Sequence, residues 1–499
     1  MDHEDARHQM KRHSQSATSQ DSSATCNPSK LTFKAYFFLF FAAIGSSLPY
    51  LTLYYKQLGL TAGHAGILNG VRLFTEFIGS PLWGMVGDKF RMRKIILFAS
   101  LVSYTTGTLL LMAVQPQNQQ CVKTEANKTE ITSLIFTAGG TLKLGDDKQE
   151  ERFENHASTA HFTRKVDESE ITKIFIIFLV IICTSQIIGS VVFSMPDALV
   201  VGFLKENVHA FGTFRMWGEV GVAGGSFLVG GVINFYQSEV CGETVKNYFI
   251  SFYFFAGFNA LAIFTVIFIK VSYADLETSS SVTILPLLKE LLKFRNAVII
   301  IMATYLGMLN GLHEYFGFWY LDDLGAKPYM LGIASGLRYT VAMLAYFASE
   351  VVITKVGHVC AITASLALYV AVYLGLAFVL NPWLGVVLYS VQGLLYGTSW
   401  VACVVFGGTI SLRLGFYAVT QGVLGGCYWG LGVGTGIVIS GLLINWVGVA
   451  KTYFIYSITT IFVLGLFSST HLFVKLREGK RESEESYKLV ATSEKEPQE

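Results

Sequence analysis

Apolar residues in this chain gather into long runs broken by short polar turns, and the runs lie at 34–56, 63–87, 94–114, 172–200, 211–236, 247–270, 297–321, 328–353, 359–380, 383–406, 417–443 and 452–474. Runs of about 20 residues are long enough, as helices, to cross a ~30 Å hydrocarbon core. The pattern predicts an all-α polytopic membrane protein with twelve transmembrane helices. Around them we expect a disordered cytosolic N-tail (1–33), a first six-helix half (34–270) and a cytosolic linker (271–296). A second half (297–474) and a disordered cytosolic C-tail (475–499) complete the chain. In the linker, Leu285, Leu288, Leu291 and Leu292 interleave with Lys289, Lys293 and Arg295, which suits an amphipathic helix lying on the membrane face.

The halves repeat one another. Moving 266 positions along carries Gly45, Tyr54, Gly59, Gly66, Gly70 and Arg72 onto Gly311, Tyr320, Gly325, Gly332, Gly336 and Arg338 without a gap. Later the offset is 212, carrying Trp217-Gly218 onto Trp429-Gly430. The difference of 54 is close to the length of one long loop at 115–171, which reads as an insertion in the first half. Parallel six-helix repeats of this kind place a solute site between the halves, near the bilayer midplane.

Composition agrees: 52% of residues are hydrophobic and 14% charged, against about 25% charged in soluble domains. A formal charge of +2 gives a nucleic-acid partner no electrostatic support. Residues 1–30 are polar and lack the apolar core of a cleaved signal, so the first span is expected to do the targeting. With both termini in the cytosol, the short inner loops hold eleven lysines and arginines. The outer ones hold four (Lys56, Lys246, Lys327 and Lys451), as the positive-inside rule requires. The membrane itself, plasma membrane or endomembrane, stays open. In this orientation the 115–171 loop lies outside and carries a glycosylation acceptor at Asn127. Of seven cysteines only Cys121 and Cys241 fall in outer loops, where a disulfide between them is allowed by an oxidising lumen.

Between the second and third spans lies a tight basic turn with Gly84, Gly87, Asp88, Lys89, Arg93 and Lys94. It resembles the G-x-x-x-D-[RK]-x-G-[RK]-[RK]-[RK] signature of the major facilitator superfamily, departing from it at Arg91 and Met92. Phe211-Gly212-Thr213-Phe214-Arg215-Met216-Trp217-Gly218 and Ala418-Val419-Thr420-Gln421-Gly422 resemble segments of the group around major facilitator superfamily domain-containing protein 6, in its 6-like branch. Met195-Pro196-Asp197-Ala198-Leu199 is more loosely similar to the end of that group's fourth helix. The resemblance covers about residues 34–474. It implies that Asp88 latches onto the start of the eleventh helix, near Gly415–Ala418, where helix N-terminal amides favour an anion. The alternative for the basic residues is a positive-inside anchor.

An ionisable residue inside a span costs about 2.5–3.5 kcal/mol on insertion scales and marks a candidate site. Arg72 and Glu76 lie four apart on one helix face, as do Arg215 and Glu219. Arg338 repeats Arg72, and His313, Glu314 and Asp197 stand in other spans. Two readings stay open. In one, a carboxylate such as Glu76, Glu314 or Asp197 binds a proton and an arginine contacts an anionic or polar solute. In the other, the charges are internal pairs, with Asp197, Arg215 and Glu219 as an inner-gate network. Tyr50, Tyr305, Phe316, Trp319, Trp400 and Trp429 are candidate cavity aromatics, and glycines at 422, 426, 430 and 434 and at 221 and 225 favour close helix packing.

No phosphate-binding loop, zinc-protease helix or nucleophile elbow occurs, so neither catalysis, a metal, a cofactor nor ATP-driven transport has support. The function expected is a secondary active or facilitative transporter of a small solute, by alternating access and with protons as a candidate coupling ion. Alternatives are a non-transporting surface receptor that uses the 115–171 loop, expected to be flexible, and a mover of lipids. Tyr487-Lys488-Leu489-Val490 fits a sorting-adaptor tetrapeptide.

Overall fold

The computed structural model describes residues 28–117, 119–125, 128–130, 135–136, 142–143, 161–204, 211–240, 243–269, 292–414 and 422–493. The first half holds α1 (Pro28–Gln57), α2 (Ala62–Lys89), α3 (Arg93–Ala113), α4 (Glu168–Gly189), α5 (Ser194–Leu204), α6 (Phe211–Phe235) and α7 (Phe249–Phe268). The second holds α8 (Phe294–Asp323), α9 (Pro328–Val356), α10 (His358–Phe378) and α11 (Pro382–Leu414). It continues with a π-helical stretch (Gly426–Val433), α12 (Gly434–Val447) and α13 (Val449–Ser493). Eleven spans among the described residues are long and apolar enough to cross a membrane. The twelfth, α2, is long enough at 28 residues, but its polar content (His64, Asn69, Arg72, Glu76) makes it less apolar.

Three places differ from expectation. The span expected at 172–200 breaks over residues 190–193 into α4 and α5. Pro196 is the reason: a helix running through it would lack one N–H bond and meet the carbonyl of Val192, whereas in the first turn of α5 no such bond is needed. At the other end of the chain, α13 runs on to Ser493, through residues expected to be disordered. Its sequence from Val449 to Ser493 has no proline and is rich in Lys, Glu and Arg beyond the span, all good helix formers. Tyr487 falls inside that helix. The third difference is in the long loop, where β1 (Gln119–Glu125) pairs antiparallel with both β2 (Lys128–Glu130) and β3 (His161–Val166). Because α3 and α4 pack side by side, the two ends of the loop start close together and closing them costs little. Asn127 and Cys241 lie outside the described residues, as do the linker 271–291 and residues 415–421. Among the described cysteines, Cys183, Cys360, Cys403 and Cys427 are free thiols.

The repeat is visible in the backbone. Gly59 and Gly325, 266 residues apart, both take positive φ (87° and 83°) where α1 and α8 end. The same two bonds close each end: Leu60 N–H to Tyr55 O and Gly59 N–H to Lys56 O in one, Ala326 N–H to Leu321 O and Gly325 N–H to Asp322 O in the other. Tyr54 and Tyr320 then donate their hydroxyls to carbonyls of the third helix in their own half, Leu111 at 3.1 Å and Leu376 at 2.5 Å.

The halves meet along three helix pairs, α1 with α8, α2 with α12, and α6 with α9. Small residues make this possible. A Cβ on Gly66 would come within 2.9 Å of the Ile437 carbonyl, and one on Gly230 within 2.7 Å of the Pro328 carbonyl. In the eleventh span, Gly426 and Gly430 face the Phe77 ring and Gly434 faces Phe74, while Gly221 and Gly225 bring α6 against α1. With lipid outside, such van der Waals approach replaces the hydrophobic effect as the force between helices.

Candidate functional site

The densest polar group sits inside the second half. Arg338 (α9) is 1% exposed and ion-pairs with Glu314 of α8, Nη1 to Oε2 at 2.5 Å. That nitrogen lies off the hydrogen-bonding direction, so this is a charge contact and not an aligned bond. Glu314 also accepts from the Tyr339 hydroxyl at 2.5 Å. The rest of the guanidinium donates to Gln392 Oε1 (2.7 Å) and Asn310 Oδ1 (3.1 Å). Gln392 in turn donates to Asn310 (3.0 Å) and to the Tyr369 hydroxyl (3.1 Å). Glu314 thus has its partner on the next helix, which spacing within a single helix did not show. His313 points elsewhere: its ring stacks on Tyr389 at 4.4 Å between centroids and Nε2 meets the Tyr389 carbonyl at 3.1 Å. Burying a charge is tolerable only where partners replace water, and four helices supply them here.

In the first half the repeat-equivalent Arg72 does something similar with less. Its guanidinium stands 4.9 Å from the Tyr104 ring centre and donates Nη2 to the Tyr104 hydroxyl. It turns to α3 and not to Glu76, so the expected four-apart pair does not form a direct ion pair, and Glu76 has no hydrogen-bond partner among the described residues. The inner-gate trio is also looser than expected. Arg215 lies over the Phe41 ring at 4.0 Å, within electrostatic reach of both Asp197 and Glu219 but bonded to neither. Asp197 keeps one oxygen buried without a partner.

A clasp the sequence reading missed joins the halves at one end of the bundle. Lys56, closing α1, reaches Asp322 and Asp323, closing α8, at 2.6 Å each. Lys246 joins Asp322 from the strand before α7. The sequence carries the signal, since the 266 offset takes Lys56 onto Asp322, but loop charge alone counts Lys56 and Lys246 and leaves the aspartates out. Of the candidate cavity aromatics, Trp400 and Trp429 are half-buried neighbours (6.1 Å between ring centres), and Trp319 lies beneath Lys56. Tyr50 bonds the Ser226 carbonyl, Phe316 is fully buried, and Tyr305 faces α13 through Thr460.

At the α2–α3 turn, Arg91 takes φ +55°, the left-handed position where the superfamily signature has glycine. Met92 N–H bonds back to Gly87 O at 2.9 Å, closing α2 as a glycine cap would. The second half has Gly357 at the equivalent place, φ +82°. Lys94 caps the end of α7 through the Ile267 carbonyl at 2.6 Å, and Lys89 stands over Phe90. Gly84 has open space beside it. The Asp88 side chain and the start of the eleventh span, hence the expected latch, lie outside the description.

Among solved structures, the nucleoside transporter NupG superposes on this chain with a TM-score of 0.62 at 14% identity, covering 88% of this chain and 98% of that one. A D-xylose–proton symporter does so at 0.56 and 12%, covering 88% and 96%. At such identities the likeness is one of fold. Human major facilitator superfamily domain-containing protein 6-like is 29% identical over 109 residues, 22% of this chain and 19% of that protein. The Xenopus laevis 6-like protein B is 36% identical over 76 residues, 15% and 12%. The matched stretches thus span about a fifth of these relatives' length or less. Residues 30–455 match the profile of the MFS_1 like family, and this multi-pass membrane chain belongs to that family.

Proposed function

We propose that the chain moves a small solute by alternating access, either as a facilitative transporter or, with protons as the candidate coupling ion, as a secondary active one. The observation that carries this reading is the Asn310–Glu314–Arg338–Gln392 group, buried in one half and within electrostatic reach of Glu219 on the other. Such charge is costly inside a membrane protein and is kept where a solute or ion path needs it. The glycine-lined contacts of α2 with α12 and of α6 with α9 give the two bodies surfaces on which to rock. Following the charge of the loops, we assign the Lys56–Asp322 end to the outside and both termini to the cytosol. The clasp then shuts the outer side. Asp88, Lys89, Arg93 and Lys94, with Gly84 and Gly87, form the inner gating turn, and Asp197, Arg215 and Glu219 the charges above it.

The test is a thermal-stability screen of the full chain against amino acids, sugars, nucleosides, organic anions, amines and lipids, followed by uptake into proteoliposomes. A ligand of the folded state at 100 times its dissociation constant adds about 2.7 kcal/mol. Support would be a ligand whose effect and uptake vanish in Glu314→Gln and persist when residues 118–165 are deleted. The paired strands of that loop favour a second reading, a surface receptor. A ligand lost with the loop, with no uptake of any solute, would select it.

A further inference from the structure

Five charges form one chain across the halves. Arg338 is closed on Glu314, Glu219 lies within electrostatic reach of both and of Arg215, and Arg215 is shared with Asp197. Three carboxylates face two guanidiniums, so one acid has no arginine of its own. That acid falls on the side of the first half, where a single arginine serves Asp197 and Glu219. Glu219 is 7% exposed and, among the described residues, has no hydrogen-bond or ion-pair partner.

Across the α6–α9 interface, two tyrosines of the second half, Tyr346 (α9) and Tyr396 (α11), stand within electrostatic reach of Glu219. Their ring centres are 6.1 Å apart. Tyr396 continues to Trp429 (5.8 Å), and Trp429 to Trp400 (6.1 Å). Trp429 sits in the π-helical stretch, whose wider turn lets the consecutive Tyr428 and Trp429 both meet Trp400. An unpaired carboxylate beside clustered Trp and Tyr faces is the chemistry that holds an ammonium group: charge from one side, ring quadrupoles from the others.

We propose that Glu219, with Tyr346, Tyr396, Trp400 and Trp429, seats a small organic monocation, an amine or quaternary ammonium, between the halves. This rests on the transporter reading for its purpose, but binding can be measured without it. The cation supplies the acid that has no arginine of its own with a counter-ion. It also bridges an acid of the first half to rings of the second, so its departure frees the interface.

The full chain in lipid nanodiscs would be titrated with benzylamine, tetramethylammonium and the neutral isostere benzyl alcohol, read by tryptophan fluorescence and melting temperature. Both cations should bind and the alcohol should not. Glu219→Gln should weaken the cations at least about tenfold. Should that variant not fold, Tyr396→Leu is expected to weaken them by about the same factor. Failure of either cation to bind the folded wild type, equal binding of the alcohol, or cation binding unchanged in both variants would overturn the proposal. So would a proton-driven flux that needs Glu219 in a protein that binds no amine. Vesicle uptake separates the two readings. Cation binding without flux keeps the seat and removes the transporter, whereas flux of neutral solutes indifferent to Glu219→Gln does the reverse.

Discussion

Lys56 and Asp322 occupy the same place in the two halves, 266 residues apart, and they bind each other at 2.6 Å. A near-twofold arrangement brings equivalent residues face to face at its axis, and opposite charges there make a self-closing clasp. Both side chains are partly exposed, so one such pair is worth about 1 kcal/mol or less. Lys246 and Asp323 extend it into a network. We expect Lys56→Gln to raise the population open at this end by up to about fivefold. Maleimide labelling of a cysteine placed nearby would show it. Asp322→Asn, which takes the partner from both Lys56 and Lys246, should open this end at least as far, and labelling unchanged in both variants would mean that the clasp does not set the equilibrium.

Arg91 and Gly357 make a second equivalent pair, one strained and one not. Left-handed backbone costs a residue with a Cβ about 1–2 kcal/mol. Arg91→Gly should therefore cost nothing or stabilise the folded protein, while Gly357→Ala should destabilise by about 1 kcal/mol although open space surrounds it. Melting curves taken in one detergent should place Arg91→Gly at or above the wild type and Gly357→Ala below it.

Breaking the buried pair should be severe. Arg338→Ala leaves Glu314 with only Tyr339, at a cost of about 3–5 kcal/mol. Glu314→Gln keeps shape and some hydrogen bonding, and should lose uptake with a smaller loss of stability. Equal melting of wild type and Arg338→Ala would show that the pair is hydrated and not enclosed.

The contact of α6 with α9 predicts a kinetic effect. A methyl added at Gly230 meets the Pro328 carbonyl and the Tyr50 hydroxyl at 2.7 Å each, on a surface that the proposed rocking of the halves would have to slide. Gly230→Ala should slow turnover severalfold and leave equilibrium ligand binding within about twofold. A loss confined to binding would place Gly230 in the site instead.

Much of the fold was legible in sequence because lipid imposes a simple demand: spans must be long, apolar and hydrogen-bonded within themselves. The same rule did not reach the break before Pro196, where the apolar run continues but the helix cannot. Nor did it reach the soluble end of α13, where charge was read as disorder and helix propensity prevailed. In the site, Arg72, Glu314 and Arg338 stood out because charge in an apolar run is conspicuous. Asn310, Gln392 and Tyr369 did not, since neutral polar residues in spans are common.

The sequence by itself determined the number of spans, the duplication and the family signature, since each rests on local pattern or on self-comparison. Tertiary structure decided which charges meet. Glu314 goes to Arg338 on the next helix, Arg72 to Tyr104 and not to Glu76, and Lys56 to its own repeat partner. Helix spacing fixes which residues share a face. Which neighbour that face meets depends on how helices far apart in the chain pack, and a buried charge takes the partner that packing offers.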